Sequence, residues 1–540
     1  MPERVDITIL GGGANGVALA RACAQADKSV LLVERDDFAS GATSRCTRIV
    51  HGGLHYLEQG ELGMLRESLR GLETLLREQP HLVQSLDFVF AAAPKSRYSP
   101  LEIRAALWLY RKLGKVPPSS SSAEIDAEIE ALNRTLDASQ RWALYSYQDA
   151  MCDFPERLVA DWLLEGCAAG AVARNHTQVL AIRTAEGRVR GVIVRDRLTR
   201  QESYVESEWV INATGPWVDI VRELTGLNAH SPLSTGIRST HLMVRRFPGA
   251  SAVGLHVTAK RGRSISVAPW NGMLQVGSTE VCHSGGPGLA NPGEQEVEFL
   301  LTSVAALYPH LTAADIVYSY AGVRPIAYRS SERLLHSEFG ALASRHVLHN
   351  HADEGALGML SIFGGTLATA VSLACKTARI MGLSTPTCRP QVAIGEANGV
   401  KNTLTQWASA VAASTGIPQM STEAIARWHG RHAMCIVQTA MHDPRMRLPI
   451  IDGQPQLVAQ AVEAVAYEHA VTLADILLRR VPVALDQDWN EGSTAQAAAR
   501  IAPALNWSER RMREEIEAFQ DERSRFLHKP VGLKPTGIAA

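Results

Sequence analysis

Short apolar runs separated by glycine turns open the chain. Asp6 to Leu10 form one such run, Gly11-Gly12-Gly13-Ala14-Asn15-Gly16 follow, and Val17 to Ala26 carry a helical pattern. A second run, Val30 to Val33, ends on the acidic Glu34. Strand, glycine turn, helix and strand within about 30 residues predict a βαβ unit. Apolar positions recur at helical spacing from Tyr56 to Pro80, where the proline closes the run. Between Arg188 and Ile211 the pattern changes to short β-rich runs (Val189 to Val194, Tyr204, Val210-Ile211) about an Asp196-Arg197 turn. Such a meander predicts an antiparallel layer beside a parallel sheet.

Gly355 to Cys375 holds no charged residue and is about long enough to span a bilayer. The Gly364-Gly365 pair interrupts it, so a buried strand, a glycine turn and a helix start are expected instead of a membrane span. After Arg389 the pattern becomes helical: Leu404 to Ala413, Leu457 to Val471, Leu473 to Leu478 and Ala495 to Ile501 are rich in alanine and leucine. A separate all-helical domain over 400–530 is expected, with a frayed tail from Pro530 to Ala540. Leu101 to Pro117 combines Leu107, Trp108, Leu109, Tyr110 and Leu113 with Arg104, Arg111, Lys112 and Lys115. That pattern fits either an interfacial membrane helix or a core helix with a solvated basic edge.

Composition narrows the class. Of 540 residues, 46% are hydrophobic and 20% charged, as in ordinary globular proteins. The 54 basic and 55 acidic side chains give a net charge of −1, which excludes a globally basic nucleic-acid binder. Eight scattered cysteines without C-x-x-C spacing read as reduced cytoplasmic thiols, most of them core fillers. Glu3, Arg4 and Asp6 precede the first glycine turn, so no secretory or transit segment is expected. His349, His351 and Asp353 imitate a metal-ligand spacing, but in a polar hairpin they are expected to form a solvated turn, and no metal is expected.

Candidate chemistry starts at the first turn. Gly11 permits the tight bend, Gly13 lets a pyrophosphate approach the backbone, and Gly16 lets helix and strand pack closely. The helix amino terminus, with Ala14 and Asn15, offers free N–H groups to phosphate. Glu34, with Arg35 beside it, is spaced to accept the adenosine ribose hydroxyls. Thr43 and Ser44 in Ser40-Gly41-Ala42-Thr43-Ser44-Arg45 offer hydroxyls and amides to a longer cofactor. A second strand ending in Ala213-Thr214-Gly215 resembles the motif by which two-dinucleotide-fold flavoproteins return beside FAD. FAD is therefore the expected cofactor.

With these motifs in order, the sequence resembles the FAD-dependent, quinone-linked glycerol-3-phosphate dehydrogenases. The likeness includes Ile49-Val50-His51-Gly52-Gly53-Leu54-His55-Tyr56-Leu57, Arg157-Leu158, Asn212 to Trp217, Gly277-Ser278-Thr279-Glu280, Gly322-Val323-Arg324-Pro325 and Phe363-Gly364-Gly365. In the helical part it includes His469, Thr472-Leu473, Asp475 and Leu478-Arg479-Arg480. The resemblance implies an α/β (α+β) fold. A Rossmann-like FAD-binding domain carries an inserted antiparallel substrate-binding sheet within 1–395 (FAD-binding segments about 1–80, 150–225 and 320–390), and a helical cap follows. It also implies that Arg48, His51, Gly52, Gly53 and Leu54 lie at the cofactor, with Gly365, Thr366 and Leu367 at its pyrimidine edge. Arg324 would hold the substrate anion, with Tyr56 and His241 lining the same pocket and His241 or His55 taking the hydroxyl proton.

Two positions depart from the family pattern. His55 stands where the family has arginine, and Thr366 where it has lysine; both of those cations are expected at the phosphate. The resemblance implies oxidation of sn-glycerol 3-phosphate to dihydroxyacetone phosphate, with electrons passed to quinone. The departures keep open a related anionic substrate, a 2-hydroxy acid or an amino acid. Quinone reduction would bring peripheral membrane contact through 101–117 on the cytoplasmic face. No nucleic-acid partner is expected, and a homodimer remains open.

Overall fold

The structure is a computed structural model that describes residues 4–58, 60–92, 99–136, 142–227, 231–258, 264–328, 345–384 and 400–529. The opening unit forms as its pattern dictates. Strand Arg4–Leu10 pairs in parallel with Val30–Val33, and helix Ala14–Ala24 buries Val17, Leu19, Ala20 and Cys23 between them. The first sheet runs, in spatial order, His346–Asn350, Met359–Gly364, Glu202–Asn212, Arg4–Leu10, Val30–Val33 and Val172–Arg174. Every pairing is parallel except that of its outermost strand, His346–Asn350. Thr177–Ala185 and Arg188–Asp196 continue antiparallel from Glu202–Asn212, which is the meander the alternation predicted. The turn from Arg188–Asp196 into Glu202–Asn212 is held by Asp196, whose Oδ1 accepts from the amides of Leu198 and Thr199 at 2.7 and 2.9 Å.

The second sheet is built around strand Ser234–Arg245. On one side it pairs with Ile316–Ala327, and on the other a mixed succession runs through Met273–Gly277, Ser264–Trp270, Gly254–Thr258, Val83–Ala92, Ala143–Cys152 and Ile49–Val50. The charge-free segment resolves into strand Met359–Gly364, a glycine turn and helix Ala370–Ile380. Among the described residues no helix is long and apolar enough to cross a membrane. The expectation that most cysteines fill the core is corrected: of those described, Cys23 and Cys152 are buried, whereas Cys282 and Cys435 are exposed. Cys388 and the tail beyond residue 529 lie outside the described residues.

The helical part, from Val400–Thr415 to Glu509–Phe526, docks on the two-sheet part through buried charges. Arg157, on helix Pro155–Ala168, donates to Glu468 at 2.6 and 2.8 Å and to the Arg480 carbonyl at 3.0 Å. Arg480 in turn donates to both oxygens of Asp37 at 2.8 Å. Burial alone would raise the Glu468 pKa, but the Arg157 guanidinium holds it below the ordinary carboxylate range. A carboxylate depressed in the folded state contributes stability above its unfolded pKa and loses it as pH falls through the folded one. This lock therefore persists through mild acid. Glu468→Ala leaves the buried Arg157 with only the 3.4 Å contact to Asp161 as a carboxylate partner, and is expected to cost about 3–5 kcal/mol. Thermal denaturation at pH 7 checks this; an unchanged Tm would show that the pair does not hold the two parts together.

Candidate active site

The glycines of the first turn serve different needs. Gly11 has φ +106°, and a Cβ on Gly16 would lie 1.9 Å from the Gly11 carbonyl oxygen, so both are demanded by the fold. Gly13 is not: its φ of −78° suits any residue, and a Cβ there would meet only Thr43 Oγ1, at 3.4 Å. No side chain caps the helix that Gly13 starts. An uncapped helix amino terminus beneath an open backbone face is an anion cradle. Thr43 borders it, accepting from the Ala14 amide at 3.2 Å, and Asn15 donates to the Gly364 carbonyl at 3.1 Å, tying the two glycine turns together.

Glu34 lies beside this cradle. Its carboxylate accepts from the amides of Gly12 (2.7 Å) and Asp36 (2.9 Å), and burial raises its pKa. Arg35 pairs with Asp36 at 2.9 Å and lies 5.5 Å from the Trp217 ring. The Ser44 hydroxyl donates to the Ala39 carbonyl at 2.6 Å and so braces the 39–44 loop from within. Thr214 bonds Asn212 at 2.6 Å, and Gly215 has φ +60° with open space where a Cβ would stand. At the far turn Gly364 and Gly365 precede Thr366, whose hydroxyl is buried without a partner among the described residues, and Leu367 starts a short 3-10 turn. An open phosphate cradle at one end and an unsatisfied buried hydroxyl at the other fit an extended dinucleotide that runs from Gly13 to Thr366.

The sheet Ser234–Arg245/Ile316–Ala327 supplies the opposite wall. Arg324 sits within the strand, paired in register with Ile237 of Ser234–Arg245, the strand on which its backbone is held. Its guanidinium contacts Glu280. Four residues along the same face, His241 pairs with Tyr320, and their rings stack at 5.0 Å. His241 is buried, and both ring nitrogens lack partners among the described residues. Burial, with help from Arg48, pushes its pKa down to about 3, so the ring is neutral at physiological pH.

The segment from His51 to Tyr56 closes the site. His51 is brought down to about 4 by burial and then by the Arg324 charge. Tyr56 is fully buried, and both Arg324 and Arg345 act on it electrostatically. Leu54 packs on the neighbouring core. The side chain of His55 lies outside the described residues.

Two expectations need correction. Arg48 does not offer its charge to a cofactor: its guanidinium makes two 3.1 Å bonds to the buried Glu156 and donates to the Asp153 and Ser44 carbonyls. A fork shared with a buried carboxylate is already satisfied. Arg238 is likewise taken by Glu296 at 2.6 Å. The His349–Asp353 turn is not a solvated one either. His351 is buried between Glu354 (2.7 Å) and Ser361 (2.8 Å), while Glu354 also binds His349 (2.8 Å) and the Arg222 fork.

Sequence reading missed Arg345, which stands beside Gly364 just ahead of strand His346–Asn350 and pairs with Glu61. Its only signal was a position just ahead of a strand, and many surface arginines share that. Glu280 was visible within Gly277-Ser278-Thr279-Glu280, but no role followed from its type alone.

A family model for FAD-dependent oxidoreductases matches residues 6–371, and one for the C-terminal domain of alpha-glycerophosphate oxidase matches 393–512. Fold, cradle and these matches together define an FAD-dependent oxidoreductase. The glycerol-3-phosphate dehydrogenase of Synechocystis sp. is 30% identical over 539 residues, covering 96% of each chain. The chain belongs to the FAD-dependent glycerol-3-phosphate dehydrogenase family and is an enzyme acting on CH–OH groups, with FAD as its cofactor. A D-erythritol 1-phosphate dehydrogenase of Brucella abortus is 30% identical over 380 residues, 69% of this chain and 72% of that one. The crystal structure of a Bacillus halodurans glycerol-3-phosphate dehydrogenase complexed with FAD superposes with a TM-score of 0.74, covering 98% of this chain and 97% of that one. At 20% identity that likeness is one of fold.

Proposed function

We propose that this enzyme oxidises sn-glycerol 3-phosphate to dihydroxyacetone phosphate and delivers the electrons to a quinone. The observation that carries this reading is the placement of Arg324, four residues along one strand face from the His241–Tyr320 stack, with Arg345 beside Gly364 as a second cation whose charge also reaches the buried Tyr56. A phosphate dianion between them gains charge-assisted bonds of roughly 1.5–3 kcal/mol each. Arg345 thus supplies the second cation that Thr366 and His55 do not. In the free enzyme Glu280 and Glu61 hold the two forks, and substrate phosphate must take their place.

The bound flavin supplies the hydride acceptor. The protein's own part is positional and acid–base. Arg324 and Arg345 fix the phosphate end, Tyr56 fills the floor between them, and His241 receives the hydroxyl proton at an unpartnered ring nitrogen. The ring is neutral at physiological pH, so that nitrogen carries no proton beforehand, while the same burial makes it a weak base. Gly11, Gly13, Gly16, Thr43 and Glu34 hold the adenine half of the cofactor, and Gly365, Thr366 and Leu367 its other end.

Helix Pro100–Leu113 supports a peripheral place on the cytoplasmic face of a membrane. Ile103, Leu107 and Tyr110 are buried against the core, while Leu101 (77% exposed) and Trp108 (61%) stand out among the exposed Arg104, Arg111 and Lys112. An apolar ridge flanked by cations suits an anionic lipid surface.

Anaerobic addition of glycerol 3-phosphate should bleach the flavin band of the purified enzyme, and a soluble quinone should restore it faster than oxygen does. Bleaching by lactate or an amino acid instead would move the substrate to the carboxylate class. Because Arg345 already contributes charge, the combined His55→Arg, Thr366→Lys variant is expected to crowd the phosphate and lower kcat/KM. A tenfold rise would instead show that Arg324 and Arg345 do not share the phosphate.

A further inference from the structure

One buried carboxylate near the site is left unused by this mechanism. Asp149, on strand Ala143–Cys152, and Tyr110, on helix Pro100–Leu113, are both almost wholly buried, and both reach the backbone amide of Gly52. The Gly52 N–H is shared between Tyr110 Oη at 2.9 Å and Asp149 Oδ1 at 3.0 Å, and the Tyr110 hydroxyl donates to the same Asp149 oxygen at 2.5 Å. A Cβ on residue 52 would lie 2.3 Å from that hydroxyl, so only glycine admits this approach. Isolated carboxylates are costly in a core, and an apolar pair of similar volume would pack at less cost. What the carboxylate and phenol achieve together is to fix one amide, and with it the direction of the chain through His51 and Gly53.

We propose that Asp149 and Tyr110 are positioning residues that hold the segment His51–Gly53 against the flavin through the Gly52 amide. This rests on the reading that His51, Gly52 and Gly53 lie beside the cofactor. The groups that face this centre are Tyr110 from its helix, Tyr147 and Asp149 from one strand, His256 from Gly254–Thr258 two strands over, and His51 with Arg324 beyond it. Tyr147 meets Tyr110 edge-on at 6.1 Å, and its hydroxyl is taken up by His256.

These groups differ in how they respond to pH. Burial pushes Asp149 up to about 7, despite the bonds from Tyr110 and Gly52. Burial holds His51 and His256 down at about 4, with Arg324 acting on the first and His51 on the second. Within pH 5–9 Asp149 is thus the group of this cluster that changes charge, and its ionised form grips the amide more strongly.

The test uses the FAD-loaded full chain. Asp149→Ala is expected to shift the visible flavin band and lower kcat/KM on the order of 10- to 100-fold, as misplacement near a reacting centre does. Asp149→Asn, which keeps an acceptor for the Gly52 N–H, should recover most of that loss. It should also remove a rising limb near pH 7 from the wild-type kcat/KM profile. Tyr110→Phe, which keeps the ring volume and Asp149, should shift the band in the same direction, and it carries the test if Asp149→Ala does not fold. A lower Tm with an unchanged flavin band and an unchanged pH profile would overturn the proposal. The flavin band is read without substrate, so a different true substrate would leave this test standing. An intact band in both Asp149→Ala and Tyr110→Phe would instead remove His51–Gly53 from the cofactor.

Discussion

Arg324→Lys is expected to lower kcat/KM for glycerol 3-phosphate by roughly 30- to 1,000-fold, equivalent to about 2–4 kcal/mol of transition-state stabilisation. Flavin content should not change, because Arg324 lies on the substrate sheet, not in the glycine turns. The size of the effect follows from shape more than from charge. A guanidinium presents parallel donors to the phosphate that displaces Glu280; an ammonium is a point charge and cannot match two phosphate oxygens at once. Pairing of residues 323–325 with strand Ser234–Arg245 limits how far the backbone can shift to compensate. Added salt should raise KM in the wild type, since about a quarter of the Arg324 side chain meets solvent and its field is screened there. If Arg324→Lys retains kcat/KM within threefold, the phosphate is held elsewhere.

Gly13→Val should yield folded protein with less than about a tenth of the normal flavin. The backbone at Gly13 is extended and its Cβ direction is open, so valine fits the polypeptide itself; what it fills is the face through which a pyrophosphate approaches the helix amides. Gly16→Ala provides the contrast. Its methyl would overlap the Gly11 carbonyl, so that variant is expected to lose the turn and with it the fold of the first sheet. Flavin absorbance per chain, together with far-ultraviolet circular dichroism, separates the two outcomes. Stoichiometric flavin on Gly13→Val would mean that the cofactor phosphates do not cross this turn.

Much of the architecture was legible because it depends on short-range rules. The βαβ unit announced itself through apolar runs, glycines that only one backbone path satisfies, and an acidic residue ending the second strand. The charge-free segment after Gly355 read correctly as strand, turn and helix, since paired glycines break a helical span. Helix Pro100–Leu113 was visible in its period, and its two faces were drawn as the pattern left them open: Tyr110 inside, Trp108 outside.

What escaped the sequence was the partner of each charge. Arg48 looked like a retained cofactor cation until Glu156, 108 positions away, was found against it. Arg345 gave little signal until it met Glu61 and the field of Tyr56, and Asp149 none until Tyr110 and Gly52 converged on it. The physical reason is the same in each case. Backbone conformation and the burial of a helix or strand face are set by neighbours within a few residues, so the sequence by itself determined the FAD-type turn, the strand order's local units and the helical cap. The protonation and availability of a side chain are set by the dielectric and the charges around it, which come from segments that only the folded chain brings together. Tertiary structure alone therefore decided which arginine is taken up by a buried carboxylate, which buried histidine has both ring nitrogens unpartnered among the described residues, and which carboxylate is pushed up to about 7 by burial.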